Sequence, residues 1–175
     1  MLKQFKYFVS DYKRFTAGSY LKGLYVWMNW GVIGIFFYRF ERSLFLLMGK
    51  KIYRIIRVLL FPLLSIIQAL SHIDISYLAD IGPGLCVLHY SQGVVIAQNV
   101  VIGKNLTLSG GNIIGRKKDF EKGEYVVGDN VEMGVNAVIM GPVIIGDNVK
   151  IGALACVVKN SESSVTLVGV PAHEV

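Results

Sequence analysis

Residues 73–93 read "IDISYLADIGPGLCVLHYSQG". Aliphatic residues at 75, 81 and 87 lead successive groups of six, and the beat breaks directly after His89. Continued along the chain, the groups run ISYLAD and IGPGLC, then IAQNVV, IGKNLT and LSGGNI, then VGDNVE, MGVNAV, IMGPVI, IGDNVK and IGALAC. A fixed short period is the mark of a solenoid. Six residues suit a triangular coil: three short strands per turn, one aliphatic side chain pointing inward from each, and corners that favour Gly and Asn. A β-sandwich would alternate with period two and would not hold a six-residue phase for this distance.

The period also shows where the coil is interrupted. From Val87 to Ile96 is nine residues, so three extra residues sit around "HYSQG". Between Ile114 and Val127, "GRKKDFEKGEYV" is polar and charged and is expected to project from the coil. Insertions are where a repeat scaffold tends to place function, because the rungs themselves only stack.

Upstream of residue 73 the composition changes. Residues 1–72 hold eleven Lys and Arg against two acids, Asp11 and Glu41, a net of +9. Residues 73–175 are acidic by three, which gives +6 for the 175-residue chain. The division predicts α+β organisation: a basic, hydrophobic helical region over 1–72 and a β-coil with a C-terminal tail over 73–175. Two uncharged runs, 23–38 and 58–71, are each shorter than the roughly 20 residues that cross a bilayer, and Pro62 is expected to interrupt the second. The apolar surface suits helices packed on each other and on a partner subunit. It equally suits a basic surface against anionic lipid, with Lys50, Lys51, Arg54 and Arg57 as contacts. Two cysteines, Cys86 and Cys156, make no disulfide framework, and no secretory signal opens the sequence, so a reducing cytoplasm is expected.

The stretch "DISYLADIGPGLCVLH" (74–89) resembles the frame "DIHPxAxIGxGxxxDH" of the hexapeptide-repeat, left-handed β-helix acyltransferases, in their serine acetyltransferase branch. Asp74 and His89 stand at that family's spacing, "GVVIAQNVVIGKN" follows as in the family, and "VGVPAHEV" is close to its "GVPA" ending. The likeness covers 73–175 and extends weakly to "GVIGIFFYRFERSLF". It implies a left-handed parallel β-helix, an acetyl-CoA-dependent O-acetyltransferase activity, and a homotrimer with sites between neighbouring coils. His89 would be the general base and Asp74 the carboxylate that orients it. Histidine's ordinary pKa near 6.5 suits removal of a hydroxyl proton at neutral pH. By motif position, Gly115, Val135, Ala153, Gly169, Val170 and Pro171 are the candidates for acetyl-CoA. His72 and His173 are expected to be structural or solvent-facing. No metal is expected, since the repeats offer only His89 where a metal-dependent relative would need three histidines. No nucleic-acid partner is expected.

The departures concern the acceptor. Leu88 stands where a serine-specific enzyme has an Asp for the ammonium, and "DFEKGEYVVGDN" lacks the Arg-His pair that meets the carboxylate. The "RDP" stretch has no clear equivalent, since "RFTAGS" follows Lys13. A buried ion without its partner costs several kcal/mol. The expected acceptor is therefore a hydroxyl of a sugar or surface-polysaccharide intermediate. The alternatives are a serine O-acetyltransferase of cysteine biosynthesis and a non-catalytic, membrane-associated β-helix trimer. The expected location is the cytoplasm, with residues 1–72 as a candidate contact on the inner face of the cell membrane.

Overall fold

The computed structural model describes residues 2–17, 19, 23 and 26–175. Residues 24 and 25 of the apolar run 23–38, and Gly18 of "RFTAGS", lie outside the described residues. Among the described residues, the long helices before the coil are α1 (Leu2–Thr16) and α2 (Trp30–Ser71), with a 3-10 turn at Val26–Met28 between them. Asn29 caps α2, its side chain accepting from the Val32 N–H at 3.2 Å.

The run 58–71 is not cut at Pro62. That proline lies inside α2 on an exposed stretch. The break comes instead at Gly49, whose φ of 74° and ψ of 169° are open to a residue without Cβ. After it the chain returns along the first half of α2. The Arg57 Nε and the Tyr53 hydroxyl both donate to Glu41. A methyl added at Gly34 would come within 2.8 Å of the Ser71 hydroxyl, so the two halves pack closely. His72 ends the helix in a left-handed conformation, φ 54°, its N–H bonded to the Gln68 carbonyl.

The coil has three parallel faces. The first holds β1 (Ile73–Ile75), β4 (Val94–Ile96), β7 (Asn112–Arg116), β10 (Val138–Gly141) and β13 (Cys156–Val157). The second holds β2 (Asp80–Ile81), β5 (Val101–Ile102), β8 (Val126–Val127) and β11 (Ile144–Ile145). The third holds β3 (Cys86–Val87), β6 (Thr107–Leu108), β9 (Glu132–Met133), β12 (Lys150–Ile151) and β14 (Thr166–Val168), with β15 (His173–Glu174) added antiparallel. The six-residue leaders all point inward: Ile75, Ile81, Val87, Ile96, Ile102, Leu108, Ile114, Val127, Met133, Ile139, Ile145 and Ile151 are buried. The residues two before each leader fill the remaining space as Ala79, Leu85, Val100, Leu106, Val131, Ala137, Val149 and Ala155, all buried. Each such side chain contributes roughly 1.5–3 kcal/mol by leaving water when it is as large as Val or Leu. Where the repeat lacks a rung residue, Tyr125 fills the core and donates to the Ile139 carbonyl at 3.0 Å.

The helices close the first turn of the coil. The Asp11 carboxylate accepts from the Gly84 and Leu85 N–H groups at 2.7 and 2.8 Å, and from Arg39. Arg14 reaches the Gly84 and Leu106 carbonyls and the Thr107 hydroxyl. The charged segment 117–124 projects from the corner between the first and second faces. It is tied back by Lys122 to Asp80 at 2.7 Å and by Phe120 stacked edge-on against Tyr125.

Candidate active site

His89 follows β3 and opens the corner between the third and first faces. The three residues in excess of the period form a 3-10 turn, Tyr90–Gln92, which ends at Gly93 with φ 83°. The His89 N–H bonds to the Ser109 carbonyl at 3.2 Å, and its own carbonyl accepts from the Gln92 N–H. The imidazole is exposed. Gly110 lies so close below that a Cβ there would fall 2.6 Å from the His89 carbonyl oxygen and 3.3 Å from Oε1 of Gln92. The extra turn can therefore sit on the coil only because the next rung offers no side chain at that corner.

Asp74 is the middle residue of β1. Strand alternation turns it outward while Ile73 and Ile75 fill the core. It heads an outward column that runs in register through Val95, Ile113, Val138 and Cys156. Beside it is a cleft of about 400 Å³ walled by Gln68 and His72 at the end of α2, by Gln92 and Gly93 of the inserted turn, and by Gly111. His89 is outside that lining, at the other end of the single turn that finishes in Gln92. Among the described residues, neither the Asp74 carboxylate nor the His89 imidazole has a hydrogen-bond partner, so the structure holds the two expected dyad residues near one turn without pairing them.

One edge of the coil gathers most of the other sequence candidates. The corner between the third and first faces stacks rung upon rung: the Gly111 N–H bonds to the Gly93 carbonyl, Asn136 to Gly110, and Leu154 to Val135. Val135 and Ala153 occupy successive corners of that ladder, and a Cβ on neighbouring Gly134 would lie 2.6 Å from the Ala153 nitrogen. Gly169, with φ 94°, follows on the same edge, its carbonyl accepting from the Cys156 N–H, and Val170 and Pro171 extend it outward. His89 is at the head of this edge. Gly115 is not part of it: it lies farther along β7, against Met140 of β10. His173 is exposed in β15 and away from the cleft lining.

His72 does more than end the helix, because it also lines the cleft. With Gln68 and Gln92 it is a wall residue that the sequence reading left out. No periodic signal marks these positions, since two lie at a helix end and one in an insertion. Leu88, half exposed, precedes His89 and puts an apolar side chain beside it. Among the described residues, no three His, Cys, Asp or Glu side chains gather as a metal site would require.

Comparison with known proteins agrees with this architecture. The family described as bacterial transferase hexapeptide (six repeats) matches residues 124–159. The chain is 34% identical over 129 residues to a serine acetyltransferase of Staphylococcus epidermidis, covering 73% of this chain and 60% of that protein. It is 34% identical over 96 residues to the serine acetyltransferase of Staphylococcus aureus strain Mu50, covering 54% of this chain and 45% of that one. The chain thus spans no more than about 60% of the length of these curated relatives. Among solved structures, serine acetyltransferase of Neisseria gonorrhoeae superposes with a TM-score of 0.83 at 28% identity, covering all of this chain and 66% of that one. The same enzyme in complex with serine gives 0.82 at 27%, covering 99% of this chain and 69% of that chain.

Proposed function

We propose that this chain, whose coil is the left-handed β-helix of the hexapeptide-repeat acyltransferases in their serine acetyltransferase-like branch, is an acetyl-CoA-dependent O-acetyltransferase. The observation that carries the reading is the meeting of the Asp74 cleft with the inserted turn that begins at His89, at the head of an edge of small residues.

The chemistry asks for little else. His89 takes the proton of the acceptor hydroxyl as its oxygen attacks the thioester carbonyl, and Asp74 holds the imidazolium through the other ring nitrogen. When the carbon–sulfur bond breaks, His89 returns the proton to the departing thiolate, leaving an ester and free CoA thiol. No acyl-enzyme is needed. The acetyl donor runs along the edge formed by Val135, Ala153, Gly169, Val170 and Pro171, where the backbone is open to close approach. Gly115, set apart from that edge, takes no part in this reading. A homotrimer completes the site, with the apolar column Val95, Ile113 and Val138 facing a neighbouring coil.

The acceptor is an uncharged hydroxyl compound of the sugar or glycan class. Leu88 gives an ammonium nothing to pair with, and the cleft walls at Gln68 and Gln92 are amides, which donate to and accept from hydroxyls. Free serine is the second reading, favoured by the activity for which the relatives are named.

Release of CoA thiol from acetyl-CoA across serine, sugars, nucleotide sugars and short glycans tests both. Turnover on serine alone rejects the glycan reading. His89→Ala should lower transfer by about 10²–10⁴-fold while acetyl-CoA binding survives. Unchanged turnover in that variant removes His89 from the mechanism.

A further inference from the structure

The half of α2 beyond Gly49 has one face toward the protein and an adjoining apolar face on nothing. Tyr53, Ile56, Leu60, Leu64, Ile67 and Ser71 recur at helical spacing toward the body of the molecule. Ile52, Ile55, Leu59, Leu63, Ile66 and Leu70 form a second stripe on the outer side, all of them exposed, Leu59 by 78% and Ile55 by 69%. Two apolar stripes on one helix mean that something else covers the second.

Charge says what covers it. Residues 50–71 contain Lys50, Lys51, Arg54 and Arg57 and no acid. Arg57 is paired with Glu41, whereas Lys50, Lys51 and Arg54 are exposed and have no ion-pair partner among the described residues. Beside the stripe is a cavity of about 230 Å³ between Arg54, Arg57, Val58, Phe61 and Tyr77, with the Arg57 guanidinium 5.0 Å from the Tyr77 ring centre. A second copy of the same helix would bring three more cations and no carboxylate to this helix. An anionic lipid surface supplies both what the stripe and what the cations need.

We propose that residues 50–71 are an interfacial helix that docks on an anionic bilayer, with Ile52, Ile55, Leu59, Leu63, Ile66 and Leu70 in the acyl boundary and Lys50, Lys51 and Arg54 at lipid phosphates. The helix lies on the membrane rather than crossing it. The stretch free of charge, 58–71, is about 21 Å long at roughly 1.5 Å per residue, against a hydrocarbon core of about 30 Å. On the helix's inner face Tyr53 and Ser71 are buried and Ile56, Leu60, Leu64 and Ile67 half-buried against the protein. Such amphipathic helices bind through buried apolar area together with attraction to anionic headgroups. Gln68 and His72, at the end of the same helix, line the Asp74 cleft, so docking sets the cleft beside the bilayer.

The test is cosedimentation of the full chain with phosphatidylcholine vesicles, with and without phosphatidylglycerol, at low and high salt. Binding to the anionic vesicles at low salt is expected, with a loss on the order of tenfold or more in the joint variant Lys50→Glu, Lys51→Glu, Arg54→Glu. Leu59→Glu with Ile66→Glu, both at exposed positions, should also release the protein while circular dichroism stays unchanged. Failure to pellet with anionic vesicles at low salt overturns the proposal, as does equal binding to both vesicle types. So does dissociation of a vesicle-free oligomer by Leu59→Glu, which would assign the face to a second copy. No acetyl transfer is measured, so this outcome is separate from that of the activity assay.

Discussion

Arg39 spends every hydrogen it has. Its Nε and one terminal nitrogen hold the two oxygens of Asp11, and the remaining N–H groups reach Gln4 and the Ile81 and Gly82 carbonyls. Asp11 in turn accepts from the Gly84 and Leu85 N–H groups. Both side chains are about 2% exposed. This pair joins α1 and α2 to the corner that leads into β3 and so to His89. Taking two charges out of water is costly, and the pair itself is weak grounds for stability; removing one partner is another matter, because it strands the other. Asp11→Ala should therefore cost about 3–5 kcal/mol, read as a lower urea midpoint. A loss under about 1 kcal/mol would mean that the turn is held by other contacts. From the sequence alone, Arg39 is one cation among eleven in the basic region; its burial is set by the docking of helices on the coil, which no local pattern records.

At the scale of the element, the coil is held by ladders that repeat with the sequence. Asn105, Asn130 and Asn148 stand at successive corners with φ of 59°, 57° and 57°, and each amide donates to the next at 2.9 and 3.0 Å. Beside them, Asp129 and Asp147 accept from the N–H groups of Lys104 and Asp129, both at 2.7 Å. Asn130→Ala breaks two side-chain bonds and puts a Cβ-bearing residue of low left-handed preference at the corner, a loss of about 1–3 kcal/mol. Asn130→Gly loses the same bonds but keeps the backbone at ease, so it should unfold at a higher temperature than the alanine variant. Equal unfolding temperatures would remove backbone conformation from the explanation. These corners were legible because "GKN" and "GDN" recur at the same phase as Ile102, Val127 and Ile145. The break at Gly49 was not. In residues 30–71 apolar side chains occupy nearly every face, so no contrast marks where one helix turns back on itself. The cleft was half legible: Asp74 stands in a motif with His89, which lies just outside the lining, whereas Gln68, His72 and Gln92 reach it through the way α2 ends and the inserted turn folds. Val135, Ala153, Gly169 and Gly115 were all named from the family resemblance; the first three share one corner of the coil, and Gly115 does not.

For the whole molecule, the seams between helices, coil and insertion are closed by tyrosines. Tyr38 of α2 donates to the Ala79 carbonyl at 3.0 Å and accepts from the Ile81 N–H, pinning the helix to the first turn. Tyr53 joins the two halves of α2 through Glu41, and Tyr125 fills the rung that follows the projecting segment. Burial disfavours the phenolate of all three. It pushes Tyr38 up to about 12, against the opposing charges of Arg39 and Arg42. Tyr125 is raised further by burial alone, and Tyr53 by burial and then by its bond to Glu41. A phenol with an ordinary value of 10.0 in the unfolded chain holds its proton longer in the fold. The unfolded state therefore binds fewer protons above that pH, and stability falls as pH rises. The contribution of Tyr38 is whole below pH 10 and is lost as pH climbs through about 12. Absorbance titration should accordingly show Tyr38, Tyr53 and Tyr125 ionising late, together with loss of the near-ultraviolet circular dichroism signal. Tyr38→Phe should remove one phenol from that late step and leave those of Tyr53 and Tyr125 in it. If Tyr38, Tyr53 and Tyr125 ionise near pH 10 while the fold persists, the seams are open to water, and the docking of the helices on the coil described above is wrong.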